Sequence, residues 1–368
     1  MLQRTIQKMH FKSSIARSLM TFHMPSEDAP HARTLMAWPS LYSVNDKADA
    51  LKGSRQEVAA IANAISRFEP VTLYAPKSDV CDAIQVVNNS NVTVTALDVD
   101  NLWMRDTGPV YVVSSSTGKL AGVEFNFNDW GEKDYPDRSV DWSTAHRIMR
   151  KDCTREIETD ICIEGGAIEV DGEGTLMATE SSIINVNRNP GMSKADIEAE
   201  LTRTLGIEKF IWFKGVKGKD ITDDHVDGLA RFVAPGVVLL SRPAAGTPEE
   251  WMETYNDAKR VLQTSTDAQA RRFEIDEIEE AADMDFPGQD GDDEDPPALN
   301  YVNYLVVNGG VIIPRFGDER TDAAAKATIE GFFPHREVVQ VDIRWIAAGG
   351  GGIHCATQQV PLIEFDLC

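Results

Sequence analysis

Cysteine is scarce in this chain: five in 368 residues, at positions 81, 153, 162, 355 and 368. An odd number with no C-x-x-C spacing argues against a disulfide framework or a cysteine zinc site and fits a reducing compartment. Positive charge is also short, with 36 Lys and Arg against 59 Asp and Glu and a formal net charge of −23. So acidic a surface repels phosphate backbones and anionic headgroups, which argues against nucleic-acid and membrane partners and suits small cations. No apolar run approaches the roughly 20 residues that span a bilayer. What the chain does have is 42% hydrophobic residues, enough for a large core in two or three domains or in one larger closed architecture.

Residues 1–23 read as a leader. Arg4, Lys8, Lys12 and Arg17 occur there before any acid, the look of a transit peptide; a disordered lead-in to a start near Met24 is the alternative. The expected location is the cytoplasm, or the mitochondrion if the leader directs import. Beyond it, strand and helix patterns alternate. Val58, Ile61 and Ile65 recur at helical spacing ahead of Pro70, and Val71-Thr72-Leu73-Tyr74 reads as a buried strand. Ser193 with Asp196 forms a capping-box pattern; Ile197, Leu201 and Leu205 then line one face, and Gly206 sits at the helix end. Residues 236–240 and 310–313 read as further strands, with a helix over about 322–331. This alternation predicts a mixed α/β protein.

Gly165-Gly166-Ala167-Ile168 and Gly309-Gly310-Val311-Ile312 each place two glycines before a strand, a hint of an internal repeat. The acidic stretch at about 276–299 reads as a mobile surface insertion within a single domain over 24–368. Its D-G-D-D-E-D run lacks the EF-hand pattern.

The candidate nucleophile is Cys355, which follows Gly349-Gly350-Gly351-Gly352-Ile353-His354. Four glycines permit positive φ and close backbone approach, so this cysteine can be presented at a cleft. A cysteine nucleophile needs a proton partner, and His225 in Asp223-Asp224-His225-Val226-Asp227-Gly228 is the best candidate. If the segment is strand, His225 and Asp227 share a face. His354, adjacent to Cys355 on extended chain, would face away from it. Asp106, before a Gly-Pro turn, and Glu164, before Gly165-Gly166, are carboxylates held against turns. Paired carboxylates suit the five donors of a planar guanidinium, and Trp103 could stack on its face.

Taken together, these residues resemble the agmatine deiminase and bacterial-type peptidylarginine deiminase family of the guanidino-modifying penteins. The likeness runs from Met24 to Pro361. It is carried by Met24-Pro25-Ser26-Glu27, Met36-Ala37-Trp38-Pro39, Trp103-Met104-Arg105-Asp106-Thr107-Gly108-Pro109, Glu164-Gly165-Gly166, Asn185-Val186-Asn187-Arg188-Asn189-Pro190, His225-Val226-Asp227, Asn303-Tyr304 with Asn308-Gly309-Gly310, and Ile353-His354-Cys355-Ala356-Thr357-Gln358-Gln359.

The resemblance implies a five-bladed α/β propeller of ββαβ repeats around a central site, with no metal and no organic cofactor. It implies Cys355 as nucleophile and His225 as general acid/base. Glu164 would support the histidine and bind a guanidinium nitrogen, Asp106 and Asp227 would grip the guanidinium, and Trp103 would be a substrate-site aromatic. Asp220 is a candidate acid for a second substrate charge. The implied reaction turns a guanidinium into a ureido group plus ammonia, with agmatine the first substrate and peptidyl or free arginine the alternatives. An amidinotransferase and a non-catalytic binding module are the other readings. Similar proteins commonly self-associate, so a homo-oligomer is an option. The chain departs from the family's habits at Gly228 and Gly352, where Asn is usual, at Asn101, where Asp is usual, and at Asp28, where an early Trp is usual.

Overall fold

The computed structural model describes residues 22–44, 47–132, 140–282, 287 and 297–363. Seventeen strands among these residues form five separate sheets. Each contains the same unit: two antiparallel strands, a helix, and a third strand parallel to the second. In chain order the helices inside these units are Ala48–Ile65, Thr144–Lys151, Lys194–Leu205, Glu249–Thr264 and Glu319–Phe332. The first of them belongs to a unit that spans both ends of the described chain, because Thr357–Pro361 pairs antiparallel with His31–Ala37, which runs parallel to Val71–Ala75.

Local chemistry accounts for these elements. In the helix Ala48–Ile65, Val58, Ile61 and Ile65 are all fully buried. The helix Lys194–Leu205 starts on a complete capping box, with Asp196 N donating to Ser193 Oγ at 3.2 Å and Ser193 N to Asp196 Oδ2 at 2.9 Å. It ends at Gly206 in the left-handed region, φ +74°. The predicted strands appear as Val237–Arg242 and Gly310–Arg315. The last long helix starts earlier than expected, at Glu319, because Asp318 caps the amides of Arg320 and Thr321.

Three expectations are corrected. The leader lies outside the described residues except at its end, where Phe22–His23 forms an edge strand against Val113 and Ser114; the folded unit therefore includes Phe22, buried in the core. The acidic stretch does not begin as a mobile insertion. Residues 276–279 belong to the strand Glu274–Glu279, parallel to Val237–Arg242. Ile278 is buried there, Glu277 accepts from Tyr255 at 2.8 Å, and Glu279 pairs with Arg320 at 2.7 Å. Acids alternating with isoleucine can serve as a strand when cations and hydroxyls meet them. Residues 283–286 and 288–296 of that stretch lie outside the described residues. Finally, the two double glycines are not equivalent. Gly165-Gly166 precedes the first strand of a unit, whereas Gly309-Gly310 sits in a hairpin between the first and second strands of another. The repeat is real at the level of ββαβ order, and a shared dipeptide was too short to align it.

Among the described helices, none is long and apolar enough to cross a membrane. Gly206→Ala should lower stability by more than about 1 kcal/mol in urea unfolding, because a left-handed φ penalises any Cβ. The added Cβ would also lie 2.2 Å from the Phe22 carbonyl oxygen. An unchanged midpoint would contradict the docking of Phe22.

Candidate active site

Each of the five units opens on a short turn before its first strand, and these turns carry the candidate residues. Asp106 lies in the helical turn Met104–Thr107, ahead of Val110–Ser114. Glu164 caps the turn Gly165–Ala167, ahead of Glu169–Val170. His225 and Asp227 flank the start of the turn Val226–Gly228, ahead of Ala230–Ala234. Cys355 lies in a turn closed by Ala356 N on Gly352 O, ahead of Thr357–Pro361. The segment 225–228 is thus a 3-10 turn and not the strand that the spacing suggested.

The groups converge on Gly166. A Cβ built there would lie 2.7 Å from His225 Nδ1, 3.0 Å from Asp106 Oδ1 and 3.1 Å from Asp227 Oδ2. Only a hydrogen at this position leaves room for the three. The Gly166 amide also donates to Asp106 Oδ1 at 3.0 Å, and the Trp130 indole donates to its Oδ2 at 2.9 Å. His225 Nε2 meets Glu164 Oε2 at 3.2 Å. Its Nδ1 is buried with no hydrogen-bond partner among the described residues, 3.9 Å from Asp106 Oδ1. Cys355 Sγ is 3.4 Å from Asp227 Oδ2.

Burial works against the charge on His225, but Asp106, Glu164 and Asp227 outweigh it and raise the imidazole to about 9. Burial pushes the Cys355 thiol well up, and Asp227 and Asp106 push it further. The resting pair at neutral pH is therefore imidazolium and thiol. Burial also raises Asp106, against the pull of His225. For Asp227 burial is overcome, chiefly by His354, and the carboxyl is held down at about 2.

Several supporting residues were not assigned roles from the sequence, although they stood in the quoted motifs. His354, given no base role from the sequence, lies in a turn and not on extended chain, and it shares Asp227 Oδ2 with Cys355 Sγ: its Nδ1 meets that oxygen at 2.7 Å and its Nε2 meets Glu27 Oε2 at 2.8 Å. Glu27 in turn takes Arg231 at 2.9 Å and the Val306 amide at 2.8 Å. Arg188 holds Glu164 through Nε at 2.7 and 3.1 Å and reaches Asp223 Oδ2 at 2.8 Å. Asp223 and Asp224 both adopt positive φ, 61° and 72°, a costly conformation away from glycine. Their side chains hold it, Asp223 through Arg188 and the Gly218 amide, Asp224 through the Val216 amide. A single arginine among the asparagines of residues 185–190 is the signal that could have found Arg188.

Two predicted residues sit differently. Trp103 is buried beneath the glycine loop, and a Cβ at Gly351 would lie 2.4 Å from its ring. Of the four glycines, Gly350 uses positive φ, +86°, while Gly351 and Gly352 permit close approach. Asp220 shapes the turn before His225: its Oδ1 accepts from Thr222 N at 2.7 Å, Thr222 Oγ1 at 2.8 Å and Asp224 N at 3.2 Å. The thiols of Cys81, Cys153 and Cys355 are free. One group among the described residues, Glu124, His146 and Glu156, brings metal-ligand atoms within 4.8 Å of one another. It is partly exposed, and the contact of His146 with Glu156 at 2.8 Å accounts for it without an ion.

A thiol, an imidazole and carboxylates gather around one small volume, an arrangement suited to a cationic, planar group. The model for Porphyromonas-type peptidyl-arginine deiminases matches residues 23–361. An agmatine deiminase of Stutzerimonas stutzeri is 38% identical over 92% of this chain and 95% of its own. One from Medicago truncatula is 36% identical over 93% and 97%. The solved agmatine deiminase of Enterococcus faecalis superposes with a TM-score of 0.84 at 29% identity, over 93% of this chain and 96% of its own. The chain belongs to the Porphyromonas-type peptidyl-arginine deiminase family.

Arg188→Met should destabilise the protein by about 3–5 kcal/mol at neutral pH, because it leaves the Glu164 charge buried without its main partner. Glu164 is held below the usual carboxylate range, burial being outweighed by Arg188 and His225, so that stability is present above the unfolded carboxylate pKa and lost in acid. In the variant the carboxyl takes up a proton at higher pH, and the gap to wild type should narrow as pH falls. Urea unfolding at several pH values reads this; a gap that widens in acid would contradict it.

Proposed function

We propose that this chain hydrolyses agmatine to N-carbamoylputrescine and ammonia, with Cys355 as nucleophile and His225 as general acid and base. The observation that carries the reading is the convergence of His225 Nδ1, Asp106 and Asp227 on Gly166, with Cys355 Sγ 3.4 Å from Asp227. The buried carboxylates of Asp106 and Asp227 present acceptors to the N–H donors of a planar guanidinium, whose positive charge they would balance.

Binding comes first. Asp106 and Asp227 grip the flat cation and orient its carbon toward the sulfur. The cation offsets the two carboxylates that hold the thiol proton on, so Cys355 releases that proton to solvent as substrate arrives. The thiolate attacks the guanidinium carbon. His225, oriented by Glu164 on Nε2, gives the Nδ1 proton to the departing nitrogen, which leaves as ammonia. The carbon–sulfur bond now holds an S-alkylthiouronium. Neutral His225 takes a proton from water as its oxygen attacks the same carbon. The carbon–sulfur bond breaks, the thiolate returns, and the ureido product leaves.

Agmatine is favoured over arginine by the pairing of the arginines around the site. Arg105 donates to Gln359 Oε1 at 2.7 Å, Arg188 is held by Glu164 and Asp223, and Arg231 by Glu27 and Glu169. An α-carboxylate would meet three cations already satisfied and several acids, whereas a second ammonium meets no such repulsion. We infer also that the five ββαβ units close as the blades of a propeller around this site; the support is that each sends its opening turn toward it.

Cys355→Ala should fold normally and lose ammonia release from agmatine; wild-type turnover in that variant would end this reading. Because the acid form of His225 is required and its imidazole is raised to about 9, kcat/KM should fall as pH rises through about 9. A rate still climbing above pH 10 would exclude His225 as the proton donor.

A further inference from the structure

Four of the five opening turns carry residues assigned above. The fifth, ahead of the strand Leu305–Val307, brings Asn303 to the sulfur. Its Nδ2 lies 3.2 Å from Cys355 Sγ, and the side chain is buried at 3% exposure. The neighbours fix which way the amide points. The Cys355 backbone N–H, 3.2 Å from the other side, is a donor and must face Oδ1. Nδ2 then faces two acceptors, the sulfur and the Asp227 carbonyl oxygen at 3.4 Å. Backbone bonds hold the residue itself, Asn303 N to Asn300 Oδ1 and His354 N to Asn303 O, both at 3.1 Å. Space for the amide comes from Gly352, where a Cβ would lie 2.4 Å from Asn303 Oδ1.

We propose that Asn303 is a further catalytic residue, whose Nδ2–H binds the Cys355 thiolate and fixes its line of attack on the guanidinium carbon. This rests on the reading of Cys355 as nucleophile. In the resting site the thiol can donate its proton to Asp227 Oδ2. Once that proton leaves, the new charge on sulfur lies beside a carboxylate, and a donor aimed at it favours the charged form. The same donor steadies the thiolate as leaving group when the carbon–sulfur bond breaks in the second step. Burial, Asp227 and Asp106 all push the thiol upward, and the Gly352 backbone amide and the Asn303 amide pull against them. The other ionisable groups around these carboxylates are His225, His354, Glu164, Arg105 and Arg231.

The test uses the full chain with Asn303→Ala, Asn303→Asp and Gly352→Ala. The rate of iodoacetamide alkylation at Cys355, read by mass spectrometry of its peptide from pH 7 to 10, reports the thiolate fraction without any substrate. Kinetics with agmatine and the unfolding midpoint are measured alongside. Asn303→Ala should alkylate about tenfold more slowly at a given pH, the effect of raising the thiol by about one unit. Its kcat should fall about 100-fold, as for loss of one oriented donor to a reacting anion, with KM changed far less. Asn303→Asp should be worse, since it aims a carboxylate at the sulfur. Gly352→Ala should reproduce the alkylation defect by displacing an intact Asn303. Alkylation profiles of Asn303→Ala and Gly352→Ala that overlay wild type would overturn the proposal while leaving Cys355 as nucleophile. Turnover retained in Cys355→Ala would instead remove the reading beneath it.

Discussion

Four carboxylates, Asp106, Glu164, Glu169 and Asp227, are buried at the centre of this molecule, and the side chain of a fifth, Glu27, is only 9% exposed. Removing that many like charges from water is the dominant electrostatic cost of the fold. Arg105, Arg188 and Arg231 offset part of it, and the His225 imidazolium offsets more. The rest is relieved because burial pushes Asp106 and Glu169 upward, toward their neutral forms. On the proposed reading, a guanidinium beside Asp106 and Asp227 would supply the missing positive charge. Substrate affinity and thiol ionisation would then have one origin, since the carboxylates that attract the cation would be those that keep the proton on sulfur until it arrives.

This constraint explains why the supporting residues are so well ordered. Glu164 carries a full charge only because Arg188 is fixed against it, and Arg188 is also bonded to Asp223 in the strained turn ahead of His225. One arginine therefore sets the ionisation of the orienting acid and the position of the imidazole. On the other side, His354 joins Asp227 to Glu27, which receives Arg231 and the amide of Val306. The two chains of contacts meet at Gly166, where no side chain would fit.

Much of this was legible in the sequence, and the misses have physical causes. Helices such as Lys194–Leu205 were readable because cap, apolar face and terminal glycine all lie within one local segment. Cys355, His225, Glu164, Asp106 and Asp227 stood out as chemically rich residues next to glycine. Glu27, Arg188, Asn303 and the bond from His354 to Asp227 did not, because their partners lie tens to hundreds of residues away, and no local period encodes such pairing. The strand 276–279 was hidden for the same reason: its acids look solvated until Lys259, Arg242 and Arg320 are brought beside them. The 3-10 turn at 226–228 defeated the period-2 reading since only the convergence of five units defines it.

The departures from the family's habits are matched within this chain. Asn101 donates to Asp141 Oδ2 through its backbone at 2.8 Å and its side chain at 3.2 Å. Burial already raises Asp141 to about 6, against the pull of the Asp100 and Asn101 amides. An aspartate at 101 would set a second carboxylate against the first and forfeit a donor, so the amide is the residue this pocket requires. Gly352 is matched in the same sense, because its missing Cβ is the space that the Asn303 side chain fills. Asn101 and Gly352 each sit beside a polar neighbour, Asp141 for the first and Asn303 for the second. A chain can thus vary the frame around its nucleophile freely, provided each buried donor still meets an acceptor and each buried charge its partner.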